Sequence, residues 1–351
     1  MKVLFVSGRE PAYVRNSMLL KGLRSIGAEI VDCTDSSASY PRRFFNVLRR
    51  FFFLRNHDFD CVFVGFFGQP LVPIIKSLTS KPIIFDAFLS AYDTMCFDRK
   101  RFAPDSIPGR FFYWLDKASC EQADLVLLDT EAYVDYFVHT FGLKREKLRA
   151  LPVGADDSLF HPRETGRGDG RFRVFYYSSF LPLHGASCIV EAASLLMGEP
   201  EIEFVVVGRG PEKKRVLDLA REMGVGNLTF VDWLPYRELP QQIAAADLCL
   251  GGHFSDIEKA KRVIAGKTYQ FLAMRKPVVV GDCPGNRELL TDRESALFVA
   301  MADPGALAAG ILELKADASL RERIAEGGYR VFRERGSVEA IGAALKRALG
   351  W

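Results

Sequence analysis

Three adjacent residues offer the chemistry of an anion site. Gly266, Lys267 and Thr268 stand where a helix is expected to begin. The first backbone N–H groups of a helix lack carbonyl partners, and the helix dipole favours negative charge there. A lysine beside them adds a point charge suited to phosphate. The competing reading is a surface lysine next to a helix cap. In the N-terminal half, Ser7-Gly8-Arg9 follows an apolar run, and Gly8 permits close backbone approach by a phosphate or an acceptor. His184 precedes Gly185. An imidazole titrates near neutral pH and can donate a hydrogen bond to phosphate, or it can cap the helix that follows.

These residues need elements to hold them. Short apolar runs at Val3–Val6, Glu29–Cys33, Cys61–Val64, Ile83–Phe85, Leu125–Leu128 and Leu148–Pro152 alternate with helical patterns. Residues 154–171 break the rhythm with turn formers and a Gly-rich charged run, Glu164–Gly170, and read as a linker. The alternation restarts with strands expected at Val174–Tyr177, Phe204–Val207, Leu228–Phe230, Leu248–Leu250 and Val278–Val280. Continuous apolar strands separated by helices indicate parallel sheets covered on both faces. Two doubly wound units in tandem are expected, with a cleft between them and ligands at the carboxyl ends of the strands. Pro304–Leu349 reads as helical throughout.

With 351 residues, two domains are the natural count. A formal net charge of +3 gives no global field for nucleic acid. The seven cysteines form no Cys-x-x-Cys pair, so neither a disulfide framework nor structural zinc is expected. The N-terminus enters a strand without an apolar segment of signal-peptide length, and no stretch approaches the ~20 apolar residues of a membrane span. A cytoplasmic protein is the expectation. Pro41–Asn56, PRRFFNVLRRFFFLRN, is different in kind. On a helix it places Phe44, Phe45, Leu48, Phe51 and Phe52 on one face and Arg42, Arg43, Asn46, Arg49 and Arg50 opposite. That pattern suits either an interfacial membrane anchor or a helix packed on the sheet.

Five segments in order resemble the retaining glycosyltransferases of family four, the group 1 type with the GT-B fold. They are Leu151–Asp156 with Phe160-His161-Pro162, Val207-Gly208-Arg209-Gly210-Pro211, Leu234-Pro235-Tyr236 with Glu238-Leu239-Pro240, Phe271–Pro277 (FLAMRKP), and Val278–Val280. The resemblance implies an α/β fold of two Rossmann-like domains: an acceptor-binding domain over 1–160, a nucleotide-sugar domain over 171–330, and a C-terminal helix, 331–351, packing back toward the first. It implies transfer of a sugar from a UDP- or GDP-sugar to a glycan or lipid-linked acceptor, with retention and without a metal. By the same likeness Ser179, His184, Arg209, Leu234, Lys267 and Thr268 would contact the donor, with Gly8 and Arg9 in the first domain. Where relatives carry two glutamates, this chain has Arg262 and Gln270; a Gln amide can still bond a ribose diol. Asp86, at a strand end, would orient a sugar hydroxyl or the nucleophile, or cap a helix. Asp86, Lys267 and His184 are thus the catalytic candidates. Cell-surface glycan synthesis at the inner face of a membrane fits an anchor at 41–56. A nucleotide-sugar epimerase using Asp86 and Asp93, or a binding protein without turnover, are the alternatives.

Overall fold

The computed structural model describes residues 1–164 and 170–351. The core of the expected linker, 165–169, therefore lies outside the described residues. The chain divides into two compact units, Met1–Gly154 with Val338–Trp351, and Ala155–Ser337.

The first unit holds strands β1 (Lys2–Ser7), β2 (Glu29–Cys33), β3 (Cys61–Gly65), β4 (Ile83–Phe88), β5 (Leu125–Leu128) and β6 (Leu148–Ala150). They form one sheet in the order β2-β1-β3-β4-β5-β6, with every pairing parallel. Helices α1 (Val14–Ser25), α2 (Tyr40–Leu54), α3 (Leu71–Leu78), α4 (Ile107–Gln122) and α5 (Glu131–Phe141) make the crossovers. β3 and β4 are buried along their whole length because helices cover both faces. Capping fixes the helix ends: the Ser106 side chain accepts from Gly109 N before α4, and Thr130 accepts from Tyr133 N before α5.

The second unit holds β7 (Phe172–Ser178), β8 (Ile202–Gly208), β9 (Leu228–Val231), β10 (Leu248–Leu250), β11 (Val278–Gly281) and β12 (Leu297–Val299). Their order is β12-β11-β10-β7-β8-β9, again all parallel. The helices are α6 (Ala186–Leu195), α7 (Lys213–Glu222), α8 (Leu239–Ala244), α9 (Glu258–Arg262), α10 (Gly266–Ala273), α11 (Pro284–Arg287), α12 (Pro304–Ala316) and α13 (Ala318–Arg335). A final helix, α14 (Val338–Leu349), returns to the first unit and packs on α1. Ile341 and Leu345 join Val3, Phe5, Met18, Leu19 and Leu23 in one core. The two helices touch through glycines: a Cβ on Gly342 would lie 2.2 Å from Ser25 Oγ and 2.9 Å from Gly22 O. No helix among the described residues is long and apolar enough to cross a membrane.

The amphipathic helix corrects the sequence reading. α2 buries Arg43, Val47 and Phe51, while Phe45, Phe52 and Phe53 are 68%, 52% and 70% exposed. The expected all-apolar buried face does not exist, because Arg43 is drawn inward by polar partners. Its guanidinium donates to the carbonyls of Gly8 (3.2 Å) and Ser37 (3.0 Å) and pairs with Glu10 at 3.0 Å.

Candidate anion-binding site

In each sheet the strand order reverses direction beside the unit's first strand, at β1/β3 and at β7/β10. Such switch points open a crevice at the carboxyl edge, where doubly wound sheets bind ligands. In the second unit the loop after β7 brings His184, the loop after β10 brings His253, and α10 brings Lys267. The two imidazoles stack, 5.6 Å between centroids and 13° between planes. The loops are fixed to each other by Ser255 Oγ donating to Leu183 O at 2.8 Å.

Lys267 is the centre of this cluster. It is 7% exposed, its Nζ lies 4.0 Å from the centroid of the Tyr176 ring, and Nζ has no hydrogen-bond partner among the described residues. Burial alone pushes its ammonium down to about 7. His253 is pushed down to about 3 by burial, reinforced by Lys267 and Lys259. His184 lies well below the usual histidine value, by burial first and then by Lys267, His253 and Lys259. The groups that shift both histidines are bases, so the pocket cannot hold its full positive charge alone. His184 Nδ1 accepts from Leu181 N at 3.3 Å, so the neutral ring carries its proton on Nε2 and can donate to a ligand.

The other expected contacts fall differently. Thr268 is fully buried, and its N–H already donates to Ala265 O at 2.8 Å. Its backbone N–H is therefore not open, whereas its hydroxyl has no hydrogen-bond partner among the described residues. Gln270 is spent inside the protein: Oε1 accepts from the Tyr177 hydroxyl, and Nε2 donates to the Tyr236 hydroxyl at 2.9 Å. Arg209 is exposed and lies over the Trp233 ring, 5.5 Å from its centroid. Ser179 is exposed, Leu234 half-buried, and Arg262 half-buried at the end of α9.

In the first unit Asp86 is fully buried and gripped by Arg15, with Nη2 at 2.7 Å and Nε at 3.1 and 3.2 Å from its oxygens. Burial raises its carboxyl while Arg15 opposes the rise. Arg15 also donates to the carbonyls of Leu151 and Pro152 at 2.8 and 2.9 Å. Asp86 thus ties α1 to β4 and, through Arg15, to the chain just past β6, and none of its surface is open to solvent. Asp93, the other carboxylate of the epimerase alternative, is fully buried and accepts from the Tyr133 hydroxyl at 3.2 Å. The space beside Gly8 is also taken, since a Cβ there would lie 2.0 Å from Phe67 O. Arg9 donates to the Tyr40 hydroxyl and pairs with Glu10 at 3.3 Å.

Residues 157–331, all within the second unit, match the family described as glycosyl transferases group 1. The chain belongs to this family. Among curated relatives, the alpha-D-kanosaminyltransferase of Streptomyces kanamyceticus is 24% identical over 81% of this chain and 72% of its own length. The lipopolysaccharide core biosynthesis glycosyltransferase LpsD of Rhizobium meliloti is 29% identical over 42% of each chain, so this match spans less than half of that relative. Among solved structures, Anabaena HepE in complex with UDP aligns over 100% of both chains at 16% identity, with a TM-score of 0.75. Sucrose-phosphate synthase from Thermosynechococcus elongatus gives the same score at 15% identity, over 99% of this chain and 98% of its own. These likenesses establish a GT-B fold of two Rossmann-like domains in this family member.

Sequence reasoning missed His253, Lys259, Tyr177 and Trp233. A signal existed for His253. It lies just past Leu248–Leu250, at the carboxyl end of a strand that borders the switch point.

Proposed function

We propose that this group 1 family member transfers a sugar from a nucleotide-diphosphate sugar to a glycan or lipid-linked acceptor, with retention of configuration. One observation carries the reading: a buried lysine with no hydrogen-bond partner among the described residues, beside two neutral histidines at the β7/β10 switch point. Anabaena HepE has been solved in complex with UDP and with UDP-glucose. The same ligand chemistry suits the second unit here.

In this reading the donor diphosphate settles against Lys267, which takes up a full proton as the anion arrives. The ammonium and His184 Nε2–H then stabilise the negative charge that grows on the leaving diphosphate. Fixed cationic and dipolar donors in a dry site do this without reorganising at the moment of reaction. The reading thus gives the charge-stabilising role to side chains rather than to a divalent ion. With the Gln270 amide committed to two tyrosines, the ribose contact passes to the Tyr236 hydroxyl, which accepts from Gln270 and keeps its own proton to donate. We assign no catalytic base. The exposed aromatics and arginines of α2 favour work at an anionic membrane surface.

A thermal-shift panel of nucleoside diphosphates and their sugars tests the donor site, since a ligand that binds only the native state raises apparent stability. At least one nucleoside diphosphate is expected to shift the melt, and its monophosphate to shift it less. No shift across UDP, GDP, ADP and dTDP would sink the reading. Incubation of the shifting sugar donor without acceptor separates transfer from epimerisation: recovery of an epimerised donor would count against transfer.

A further inference from the structure

The first unit has its own switch point, at β1/β3. Beside it opens a cavity of about 350 Å³, lined by Tyr40 and Phe44 of α2, Phe67 and Pro70 after β3, and Phe111 and Leu115 of α4. That volume falls in the ~300–1,000 Å³ range of small-molecule sites. Polar groups in the lining are few: Gln69 Nε2 donates to Leu89 O at 3.1 Å, and the Tyr40 hydroxyl accepts from Arg9. What the walls offer is hydrocarbon and ring surface.

The surroundings say what kind of apolar ligand this is. Between Ser36 and His57 there is no acidic residue and there are five arginines. Arg42 and Arg49 are exposed beside Phe45, Phe52 and Phe53. α4 adds a stripe at helical spacing: Ile107, Phe111 and Trp114 are 87%, 52% and 55% exposed, with Arg110 exposed beside them. Two helices that border one cavity thus both interleave large apolar side chains with arginine. That combination complements an anionic lipid surface. Arg9 stands at the rim through its bond to Tyr40, its guanidinium 4.9 Å from the Tyr13 ring centroid.

We propose that the cavity holds the hydrocarbon chain of a lipid phosphate, with the phosphate at Arg9 and the exposed residues of α2 and α4 set into the headgroup layer. The idea deepens the transfer reading, because such a lipid would be the carrier of the acceptor.

Calorimetry of the full chain with farnesyl phosphate, farnesol and inorganic phosphate tests it. Farnesyl phosphate is expected to bind, farnesol more weakly, and phosphate alone not at all. Ala91 also lines the cavity, so Ala91→Leu fills it and should weaken farnesyl phosphate at least tenfold. Phe111→Asp, at an exposed site that folding tolerates, should do the same. Arg9→Gln should bring farnesyl phosphate down to the level of farnesol. The nucleotide-induced thermal shift should survive in all three. Failure of the wild type to bind farnesyl phosphate overturns the proposal, as does equal binding by both cavity variants or competition by phosphate alone. Sedimentation with phosphatidylglycerol vesicles but no farnesyl phosphate binding would mean a bilayer contact without a chain in the cavity, and overturns it too. A wild type that binds farnesyl phosphate but no nucleotide would instead remove the transfer reading and leave the lipid site standing.

Discussion

Replacing Lys267 by methionine separates a ligand-binding lysine from a structural one. Burial lowers its ammonium from an ordinary 10.5 to about 7. Between those values the unfolded chain holds a proton that the native protein has released, so native stability rises with pH across the window. Below pH 7 both states hold the proton, and the penalty for burying the charge is present in full. At about 1.4 kcal/mol per pH unit, that penalty reaches about 5 kcal/mol. Methionine keeps the stem and the contact with Tyr176 while removing the charge. The ligand-free variant should therefore melt higher than wild type at pH 7, by up to about 10–20 °C at roughly 2–4 °C per kcal/mol for a unit of this size. Its stability should lose the rise between pH 7 and 10. A hydrogen bond to a charged group contributes about 1.5–3 kcal/mol, so affinity for the nucleoside diphosphate should fall roughly 10- to 150-fold. In wild type that affinity should also decline as pH rises above 7, where the free lysine gives up its proton. Calorimetry and thermal melts across pH 6–10 make the test. A Lys267→Met protein that is less stable when free, yet binds the diphosphate as wild type does, would refute the reasoning.

Three further outcomes follow from the geometry. His253 and His184 are held neutral below the ordinary 6.5, so the unfolded state gains protons first as pH falls. Stability should decline below pH 6.5 by up to about 1.4 kcal/mol per pH unit for each ring, and His253→Gln should flatten part of that acid limb in urea titrations. Asp86→Asn leaves the Arg15 charge buried without its partner and should cost about 3–5 kcal/mol, with much of it recovered in Arg15→Met/Asp86→Asn; a fully stable Asp86→Asn that has lost only turnover would restore this residue to catalysis. Gly342→Leu must push α14 from α1 and should lower stability by about 1–3 kcal/mol while nucleotide binding in the second unit persists; an unchanged urea midpoint would contradict the close helix contact.

The alternation of apolar runs and helical patterns was enough to place two parallel α/β units, because a strand buried on both faces must be apolar throughout. Lys267 at a helix start, with the segments around it, was likewise visible in one dimension. β12 was not, a strand of only three residues, Leu297–Val299, too short to show a period of its own. Nor was the inward course of Arg43, which depends on carbonyls of Gly8 and Ser37.

The partners of the site residues were decided by tertiary structure. Asp86 looks free until Arg15, 71 positions away, closes on it. Gln270 looks like a ribose ligand until Tyr177 and Tyr236 claim its amide. Lys267 changes in the opposite direction, from one lysine among many to a buried base with no acceptor among the described residues, beside histidines 83 and 14 positions before it. Sequence spacing determines which groups share an element and which end of a strand they follow. Whether a polar group is satisfied depends on neighbours that only the folded chain brings within hydrogen-bond distance, and that satisfaction separates a site from a structural tie.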